Sequence, residues 1–316
     1  MSKEAESRSL TTVFMGSPDF AVPSLEILLK NNYRVAAVVT APEKPRGRGQ
    51  RTSPTPTGVV ARKHQLPLLT PHSLREESFV ENLRACQPDL MVVVAFRILP
   101  PEVFTIPRLG AFNLHASLLP KYRGAAPINH AIMNGEKETG VTTFFLQDKV
   151  DTGNILVQAR IPIMEEDNAG TMHDKLAELG AEIVLHTVRL IEQGKAKPQV
   201  QDHSLATPAP KIFKDNCRIR WNQPSQRVSD FIRGLSPYPA AFTRHCGKIL
   251  KIHKATMVKN IPKMDPGSVS IISDSLFVAT LDGALSIREL QVESRKVMRV
   301  EEFLRGYKIK SGDKFD

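Results

Sequence analysis

Three polar side chains have the types that acyl transfer to an amine requires. Asn113 and His115 stand two positions apart in the stretch NLHASLLPKYRGAAP, and Asp151 follows in the polar run DKVDTGNIL. An Asn amide and a protonated His can hold the oxyanion of a tetrahedral intermediate, while His and Asp can manage the amine proton. Since no Ser or Cys stands in a nucleophile-elbow motif, the sequence favours direct transfer over an acyl-enzyme.

The segment GAFNLHA must form a strand if Asn113 and His115 are to act together. Successive side chains on a strand alternate between faces, so these two would point the same way. The strand would end near Ala116, and ligands bind beyond the carboxyl ends of strands in open parallel sheets. We expect the loop of Asp148, Lys149, Asp151 and Gly153 to lie beside it. Two alternatives stay open. His115 could have only a structural role, and the Asp residues of the loop could serve only to close a turn.

Apolar strands alternate with helical patterns over the first two thirds of the chain. Strand patterns cover residues 10–17, 34–40 and 89–96, with helical patterns such as PSLEILLKNN, PTGVVARKH and SFVENLRACQ between them. Continuous apolar strands that alternate with helices predict a parallel α/β sheet buried on both faces. Further strands are predicted at GAFNLHA and VTTFFLQ, before a long helix from about Thr171 to Gln193.

The last third of the chain has a different pattern. A polar, proline-containing stretch, VQDHSLATPAPK, is typical of a linker. Beyond it, short alternating runs such as ILKIHKATMV, GSVSIIS, SLFVATLDG and ALSIRELQV are separated by Gly and Pro turns, which predicts a small antiparallel barrel. We therefore expect two domains, residues 1–206 and 207–316, with the linker around 200–212.

Composition limits the classes of protein worth considering. With 316 residues, 41% of them hydrophobic, the chain can bury a full core. No apolar run approaches the roughly 20 residues needed to span a bilayer, and MSKEAESRSL does not resemble a secretory signal. Three cysteines without CxxC spacing, Cys86, Cys217 and Cys246, favour a reducing, cytoplasmic compartment.

The formal charge of +10 is concentrated in the last third of the chain. Residues 1–207 contain 23 Lys and Arg against 22 Asp and Glu, whereas residues 208–316 contain 20 against 11, a net of +9. Clustered Lys and Arg gain affinity for a polyanion by releasing phosphate counterions. A nucleic-acid partner is the natural interpretation, and a basic surface that only confers solubility accounts for the charge equally well.

The stretch around Asn113 and His115, with Asp151 in DTG, resembles the formyltransferase family that uses 10-formyltetrahydrofolate. Within that family the chain resembles the members that act on charged initiator tRNA. The segments that carry this second resemblance are FMGSPDFAVPSLEILL (14–29), KPRGRGQ (44–50), ATPAPKI (206–212), IRGLSPYPAAF (232–242) and EEFLRG (301–306).

This resemblance implies a fold, a reaction and its partners. The fold would be a Rossmann-like catalytic domain followed by an OB-like barrel. The formyl donor would be 10-formyltetrahydrofolate, the acceptor the α-amine of methionyl initiator tRNA, and no metal would be required. Asn113 and His115 would polarise the formyl carbonyl and stabilise the oxyanion, while Asp151 would set the charge of the His and help remove the amine proton. A free α-amine has a reference pKa of about 7.7 to 8.0, so a modest base is enough.

The resemblance also implies a folate pocket along residues 92–100 and the loop 147–151. Backbone groups there could read the donor and acceptor edge of the pterin. Ile98 and Leu99 could instead simply pack against the next helix, and Arg97 departs from the small residue, commonly Gly, that family members often have. The residues assigned to folate are Phe96, Arg97, Ile98, Leu99, Ser117, Leu118, Leu119, Pro120, Gln147 and Asp148.

The loop APEKPRGRGQRTSPTP (41–56) is expected to lack regular structure, and the family resemblance implies that it contacts the acceptor end of the tRNA. Arginine can bond phosphates bidentately and stack on bases, although composition alone fits a solvated loop. Arg48 is the first candidate and Arg46 the second. The full set assigned to tRNA is Lys44, Arg46, Arg48 and Arg51 on the loop and Lys211, Lys248 and Lys251 on the barrel.

The first strand-to-helix turn lacks GxGxxG, so no dinucleotide site is indicated. Gly16 allows a tight turn, and Gly16, Ser17, Pro18 and Phe20 are expected to line the pocket for the methionyl end.

Two alternatives differ in class from the leading interpretation. A formyltransferase that acts on an amino-sugar nucleotide would share Asn113, His115 and Asp151 but would not need the basic loop or the basic last third. A noncatalytic RNA-binding protein would not need Asn113, His115 and Asp151, so the presence of all three argues against it. We expect a monomer without membrane association.

Overall fold

The computed structural model describes residues 10–46, 51–258 and 264–316. Its strands are β1 (Thr11–Gly16), β2 (Arg34–Val39), β3 (Lys44–Arg46), β4 (Arg51–Ser53), β5 (Leu68–Leu69), β6 (Leu90–Val94), β7 (Ala111–His115), β8 (Arg123–Gly124), β9 (Glu138–Phe145), β10 (Ile155–Pro162), β11 (Pro208–Ala209), β12 (Ala241–His245), β13 (Lys248–Val258), β14 (Val269–Ile272), β15 (Ser275–Ala279), β16 (Ala284–Val292) and β17 (Val297–Arg299). Its α-helices are α1 (Val22–Lys30), α2 (Pro56–Lys63), α3 (Glu77–Ala85), α4 (Pro101–Phe104), α5 (Pro127–Met133), α6 (Ala169–Glu192), α7 (Ser225–Leu235) and α8 (Val300–Gly306).

The chain divides into two compact units whose segments alternate along the sequence. The first unit comprises Met1–Gly124, Gly140–Ile161 and Asp174–Pro208, and the second comprises Ala125–Thr139, Pro162–His173 and Ala209–Asp316. The last passage of the chain from the first unit to the second thus lies close to residue 206. The division into contiguous domains at that residue stays a prediction, and the second unit also includes two short segments from the N-terminal part.

A seven-stranded sheet in the order β10-β9-β7-β6-β1-β2-β5 supports the first unit. Its five strands from β7 to β5 are parallel, which confirms the predicted parallel α/β sheet. The strand β9 differs, because it runs antiparallel to β7 and pairs Phe112 with Phe145 and His115 with Thr142. The sheet is therefore mixed at the edge that carries the candidate chemistry.

The parallel strands are apolar because both of their faces are covered. Every residue of β6 is buried, as expected of a central strand in a doubly covered sheet. One face of β1 and β6 packs against α3 in a single hydrophobic cluster that includes Val13, Met91, Phe79 and Leu83. The same cluster includes Val93 of β6 and Ala111 at the start of β7.

An antiparallel sheet in the order β12-β13-β16-β15-β14, with β17 paired to β16, forms the second unit. The small antiparallel β domain predicted for the last third is thereby confirmed. The helix α7 packs on this sheet through Val228, Ile232 and Leu235, a spacing that places them on one helical face. They share a core with Leu250 and other strand residues, and with Trp221, Phe303 and Phe315.

The sequence patterns did not predict some of the elements. The strand β10 lies partly in a segment that was interpreted as a polar loop, and its half-exposed residues give no continuous apolar run. The expectation that residues 41–56 lack regular structure is wrong, since β3 and β4 pair antiparallel and α2 begins at Pro56. None of the helices in the described part of the chain combines the length and hydrophobicity needed to span a bilayer.

Candidate active site

His115 occupies the last position of β7 and is buried, with 6% of its surface exposed. Its Nε2 lies 2.8 Å from the carbonyl oxygen of Tyr122. Because a carbonyl only accepts hydrogen bonds, this contact assigns a proton to Nε2. The other ring nitrogen, Nδ1, lies 3.9 Å from Oδ2 of Asp151. The ring therefore directs its exchangeable nitrogen towards a carboxylate.

Asn113 lies two residues before His115 on the same strand. It is half-buried, whereas its neighbours Phe112 and Leu114 are buried. Within the described ranges its side-chain amide makes no hydrogen bond to protein. Alternation along β7 predicts that it shares the His115 face, and its role as a donor there stays a prediction.

Asp151 lies on the loop that joins β9 to β10, and this loop brings its carboxylate to His115. The chain leaves β9 at Phe145, which pairs with Phe112, three positions before His115 on the neighbouring strand. Oδ2 of Asp151 accepts a hydrogen bond of 2.8 Å from the Gly124 backbone N–H. The structure thus brings Asp151 to the Asn113 and His115 strand, and a main-chain donor fixes the carboxylate.

Gly153 allows this loop to close. A Cβ at this position would overlap the carbonyl oxygen of Phe145, so only glycine fits without moving the backbone. Asp151 itself has a φ of +55°, in the left-handed region that non-glycine residues seldom adopt. The loop conformation therefore depends on contacts from outside it.

The turn that follows β7 is held by a compact hydrogen-bond network. The Ser117 hydroxyl donates to the carbonyl of Lys121 at 2.7 Å, and the Thr142 hydroxyl donates to the carbonyl of Ser117 at 2.7 Å. Thr142 Oγ1 also accepts from the Leu119 N–H at 3.1 Å, and the Gln158 amide donates to the Leu119 carbonyl at 2.8 Å. Ser117 and Leu119 therefore shape the turn beside His115, while Leu118 and Pro120 are half-buried on it.

The residues assigned to folate after β6 have different environments. Leu99 is buried in a cluster with Val103 of α4. For Leu99 the structure therefore shows the alternative, packing against the next helix. Ile98 is 72% exposed. The Arg97 guanidinium donates to the carbonyls of Pro71 and His72 at 2.8 and 2.9 Å and lies over the ring of Phe96. Gln147 and Asp148 are exposed on the loop that carries Asp151. The folate assignments themselves stay predictions.

The residues proposed for the methionyl pocket fix the first turn of the sheet. A Cβ on Gly16 would lie 2.7 Å from Ala21 Cβ and 2.9 Å from the Val94 carbonyl. Ser17 Oγ accepts from the Ala41 N–H at 2.9 Å and from the hydroxyl of Thr40 at 3.1 Å. Phe20 is buried and Pro18 half-buried. Gly16 and Ser17 have structural roles, and the pocket stays a prediction.

The basic residues assigned to tRNA are distributed over both parts of the chain. On the second unit, Lys211 and Lys248 are exposed and lie over the rings of Phe213 and Tyr307, and Lys251 is half-buried. Lys44 and Arg46 belong to β3 and Arg51 to β4. Arg48 lies outside the described residues.

Family comparisons agree with this geometry. A model described as "Formyl transferase" matches residues 10–188, and a model described as "Formyl transferase, C-terminal domain" matches residues 211–308. The chain belongs to the formyl transferase family.

Within the formyl transferase family, several relatives match nearly the whole chain. The chain is 47% identical to a methionyl-tRNA formyltransferase of Bacteroides fragilis, over 96% of this chain and 97% of that protein. It is 48% identical to a methionyl-tRNA formyltransferase of Chlorobium limicola, over 95% and 96%. The solved structure of HypX from Aquifex aeolicus in complex with tetrahydrofolic acid has the same fold, with a TM-score of 0.66 at 17% identity over 98% of this chain and 51% of that one.

Sequence reasoning missed the residues that hold this formyl transferase site in shape. Thr142 and Gln158 come from β9 and β10, and Gln201 comes from the stretch interpreted as a linker. A single polar residue in a polar stretch carries no periodic signal, so no pattern could have found Gln201. Among the described residues no cluster of three or more His, Cys, Asp or Glu is arranged to hold a metal ion.

Proposed function

We propose that this chain transfers the formyl group of 10-formyltetrahydrofolate to the α-amine of methionyl initiator tRNA. The product is N-formylmethionyl-tRNA, which serves translation initiation. The observation that carries this proposal is the similarity over nearly the whole chain, including the basic last third, to methionyl-tRNA formyltransferases. The net charge of +9 in residues 208–316 suits a polyanionic acceptor such as tRNA.

The reaction is a direct displacement at the formyl carbon. The amine nitrogen attacks that carbon, a tetrahedral intermediate forms, and the bond from the carbon to N10 of the folate breaks. The amine loses one proton and N10 gains one. Because a neutral amine is the nucleophile, the enzyme must accept a proton near the reacting atoms and return one to the leaving nitrogen.

His115 and Asp151 suit this proton transfer. Nε2 of His115 is committed to the Tyr122 carbonyl, so Nδ1 is the ring nitrogen left to exchange a proton. A proton on Nδ1 makes the ring a cation, and the Asp151 carboxylate at 3.9 Å stabilises that charge. Both groups are largely buried, which strengthens their attraction relative to water.

Asn113 supplies the neutral donor for the oxyanion. Its amide is free of hydrogen bonds to the described protein groups and shares the His115 face. Because no described protein group uses this amide, its N–H groups are available to the negative charge that develops. The folate residues and the basic residues assigned above remain part of the proposal, as does the monomeric state.

A radiochemical formylation assay tests the proposal. The protein is incubated with 10-formyltetrahydrofolate and, in parallel, with methionyl initiator tRNA, methionyl elongator tRNA and an amino-sugar nucleotide. Formyl transfer to methionyl initiator tRNA is the expected result. Transfer to the amino-sugar nucleotide alone would replace this proposal with the sugar formyltransferase alternative.

A further inference from the structure

One buried amide from the stretch after α6 contacts the loop that carries Asp151. Gln201 is 4% exposed. Its Nε2 donates to the carbonyl of Asp151 at 3.0 Å and to the carbonyl of Gly153 at 2.7 Å. Its Oε1 accepts from the Arg123 guanidinium at 2.5 Å. Both polar atoms of this side chain, Nε2 and Oε1, therefore form hydrogen bonds to groups around the candidate site.

The chemistry of the neighbours requires a glutamine in this orientation. Two carbonyl oxygens only accept, so they require the NH₂ group, and a guanidinium only donates, so it requires the amide oxygen. A carboxylate could satisfy Arg123 but would repel the two carbonyls. An apolar side chain would leave buried carbonyl groups without a donor.

The loop has few contacts of its own. Residues 147–150 are exposed, and Asp151 has the uncommon φ of +55°. Such a conformation persists only when its surroundings determine it. Gln201 bonds the main chain at Asp151 and again two residues later, so it spans the turn in which this conformation occurs.

The same amide also connects to the segment that orients both catalytic groups. In that segment, residues 122–124, the Tyr122 carbonyl accepts from His115 and the Gly124 N–H donates to Asp151. Arg123 bonds Gln201 through its side chain, and its backbone N–H donates to the Thr207 carbonyl at 2.9 Å. Gln201 therefore joins the Asp151 loop to the segment that fixes the His115 ring.

We propose that Gln201 is a positioning residue for formyl transfer, which holds the Asp151 backbone so that the carboxylate faces Nδ1 of His115. The inference rests on the proposed function, because Gln201 acts only through Asp151. Its hydrogen bonds go to two main-chain carbonyls and to Arg123, and none goes to the His115 ring or to the Asp151 carboxylate. Its loss would let the carboxylate move away from the ring, and a displacement of about 1 Å can cost about 100-fold in rate.

Two substitutions distinguish the hydrogen-bond donor of Gln201 from the packing of its side chain. Gln201→Glu keeps the size of the side chain and its pairing with Arg123 but removes the donor to the two carbonyls. Gln201→Leu removes every hydrogen bond. We expect both to lower kcat by about 10- to 100-fold while KM for 10-formyltetrahydrofolate and for the tRNA changes little. An unchanged kcat in Gln201→Glu would overturn the inference.

His203→Ala is the matched control. His203 is exposed and contacts the same Arg123 guanidinium, through Nδ1 at 2.9 Å, but it has no bond to the Asp151 loop. We expect wild-type kcat in this variant. A loss equal to that in Gln201→Glu would overturn the inference, because Arg123, and not the loop, would then be the group that matters.

A double-mutant cycle tests whether Gln201 acts through Asp151. If it does, Gln201→Glu adds no further loss of kcat once Asp151→Asn is present, because the group that it positions is already disabled. If the same fold loss recurs in the Asp151→Asn background, the two residues act independently and the inference fails.

Hydrogen exchange distinguishes a failure of this inference from a failure of the proposed function. We expect the Gly124 backbone amide, which donates to the Asp151 carboxylate, to exchange faster in Gln201→Glu, together with a lower Tm because two carbonyl groups lose their donor. If wild-type protein forms no formylmethionyl-tRNA yet this exchange still accelerates, the proposed function is wrong and the loop contact stands. If formylation proceeds and exchange does not change, the positioning role is wrong.

Discussion

The site in the first unit and the basic surface of the second unit are built in opposite ways. His115 and Gln201 are 6% and 4% exposed, and each is held by hydrogen bonds to main-chain groups. Lys211 and Lys248 are exposed and rest on aromatic rings. The site in the first unit fixes the orientation of its side chains and the distances between them. The surface of the second unit presents positive charge on side chains that are less constrained.

This difference separates the two tasks of the proposed reaction. Proton transfer needs atoms placed within a few tenths of an ångström, so every contact in the site contributes to one geometry. Attraction of a polyanion sums over many charges and tolerates mobile side chains. A single substitution should therefore abolish turnover in the first unit, while losses in the second unit should accumulate gradually.

The largest effect is expected from Asp151→Asn. The amide cannot stabilise a charged His115 ring, so kcat should fall by about 10²- to 10⁴-fold, the usual contribution of proton-transfer catalysis. Formylation kinetics at saturating substrates measure the loss, and thermal unfolding should show an unchanged Tm. Glu178→Gln, an exposed change on α6, is the control and should retain the wild-type rate. Near-normal turnover in Asp151→Asn would remove this carboxylate from the mechanism.

A smaller loss is expected from Gly153→Ala. The new Cβ would overlap the Phe145 carbonyl, so the Asp151 loop must shift, and we expect kcat to fall by about 10- to 100-fold together with a lower Tm. Gly306→Ala places a methyl group where nothing lies within 4 Å and should leave both quantities unchanged. If Gly153→Ala retained wild-type kcat, the exact loop conformation would not matter for turnover.

The smallest effects should follow single lysine substitutions on the second unit. Lys211→Ala, Lys248→Ala and Lys251→Ala should each weaken tRNA binding modestly and reduce the slope of log K against log salt by about 1 for each phosphate that the lysine no longer neutralises. Combined, they should weaken binding progressively without lowering kcat at saturating tRNA. Binding titrations at several salt concentrations measure this, with Lys30→Ala on α1 as the control. A drop in kcat with unchanged affinity would contradict the proposed division of tasks.

The sequence predicted elements whose burial leaves a periodic pattern. The parallel strands β1, β2 and β6 are mainly apolar runs. The first half of β13 alternates in burial, whereas the first four residues of β16 are all buried. The pairing of Asn113 with His115 follows from strand alternation in the same way. These features depend on local sequence, and for that reason they could be predicted.

Features that depend on distant partners could not be predicted. The antiparallel direction of β9 is set by its pairing with β7, and no local pattern specifies that direction. Gln201 and Asp151 are 50 residues apart in the chain. Gln201 also lies in a polar stretch whose composition is the same as that of a linker. The Asp151 loop was expected beside the Asn113 and His115 strand, but its hydrogen bonds to Gly124 and to Gln201 are visible only in the folded chain.

One labelling experiment tests the central claim most directly. The protein is mixed with 10-formyltetrahydrofolate that carries a radiolabelled formyl group, with and without methionyl initiator tRNA, and quenched within a single turnover. Direct transfer predicts label on the methionine of the tRNA and none on the protein, whether or not tRNA is present. Label bound covalently to the protein, or none on the tRNA, would contradict direct transfer to methionyl initiator tRNA.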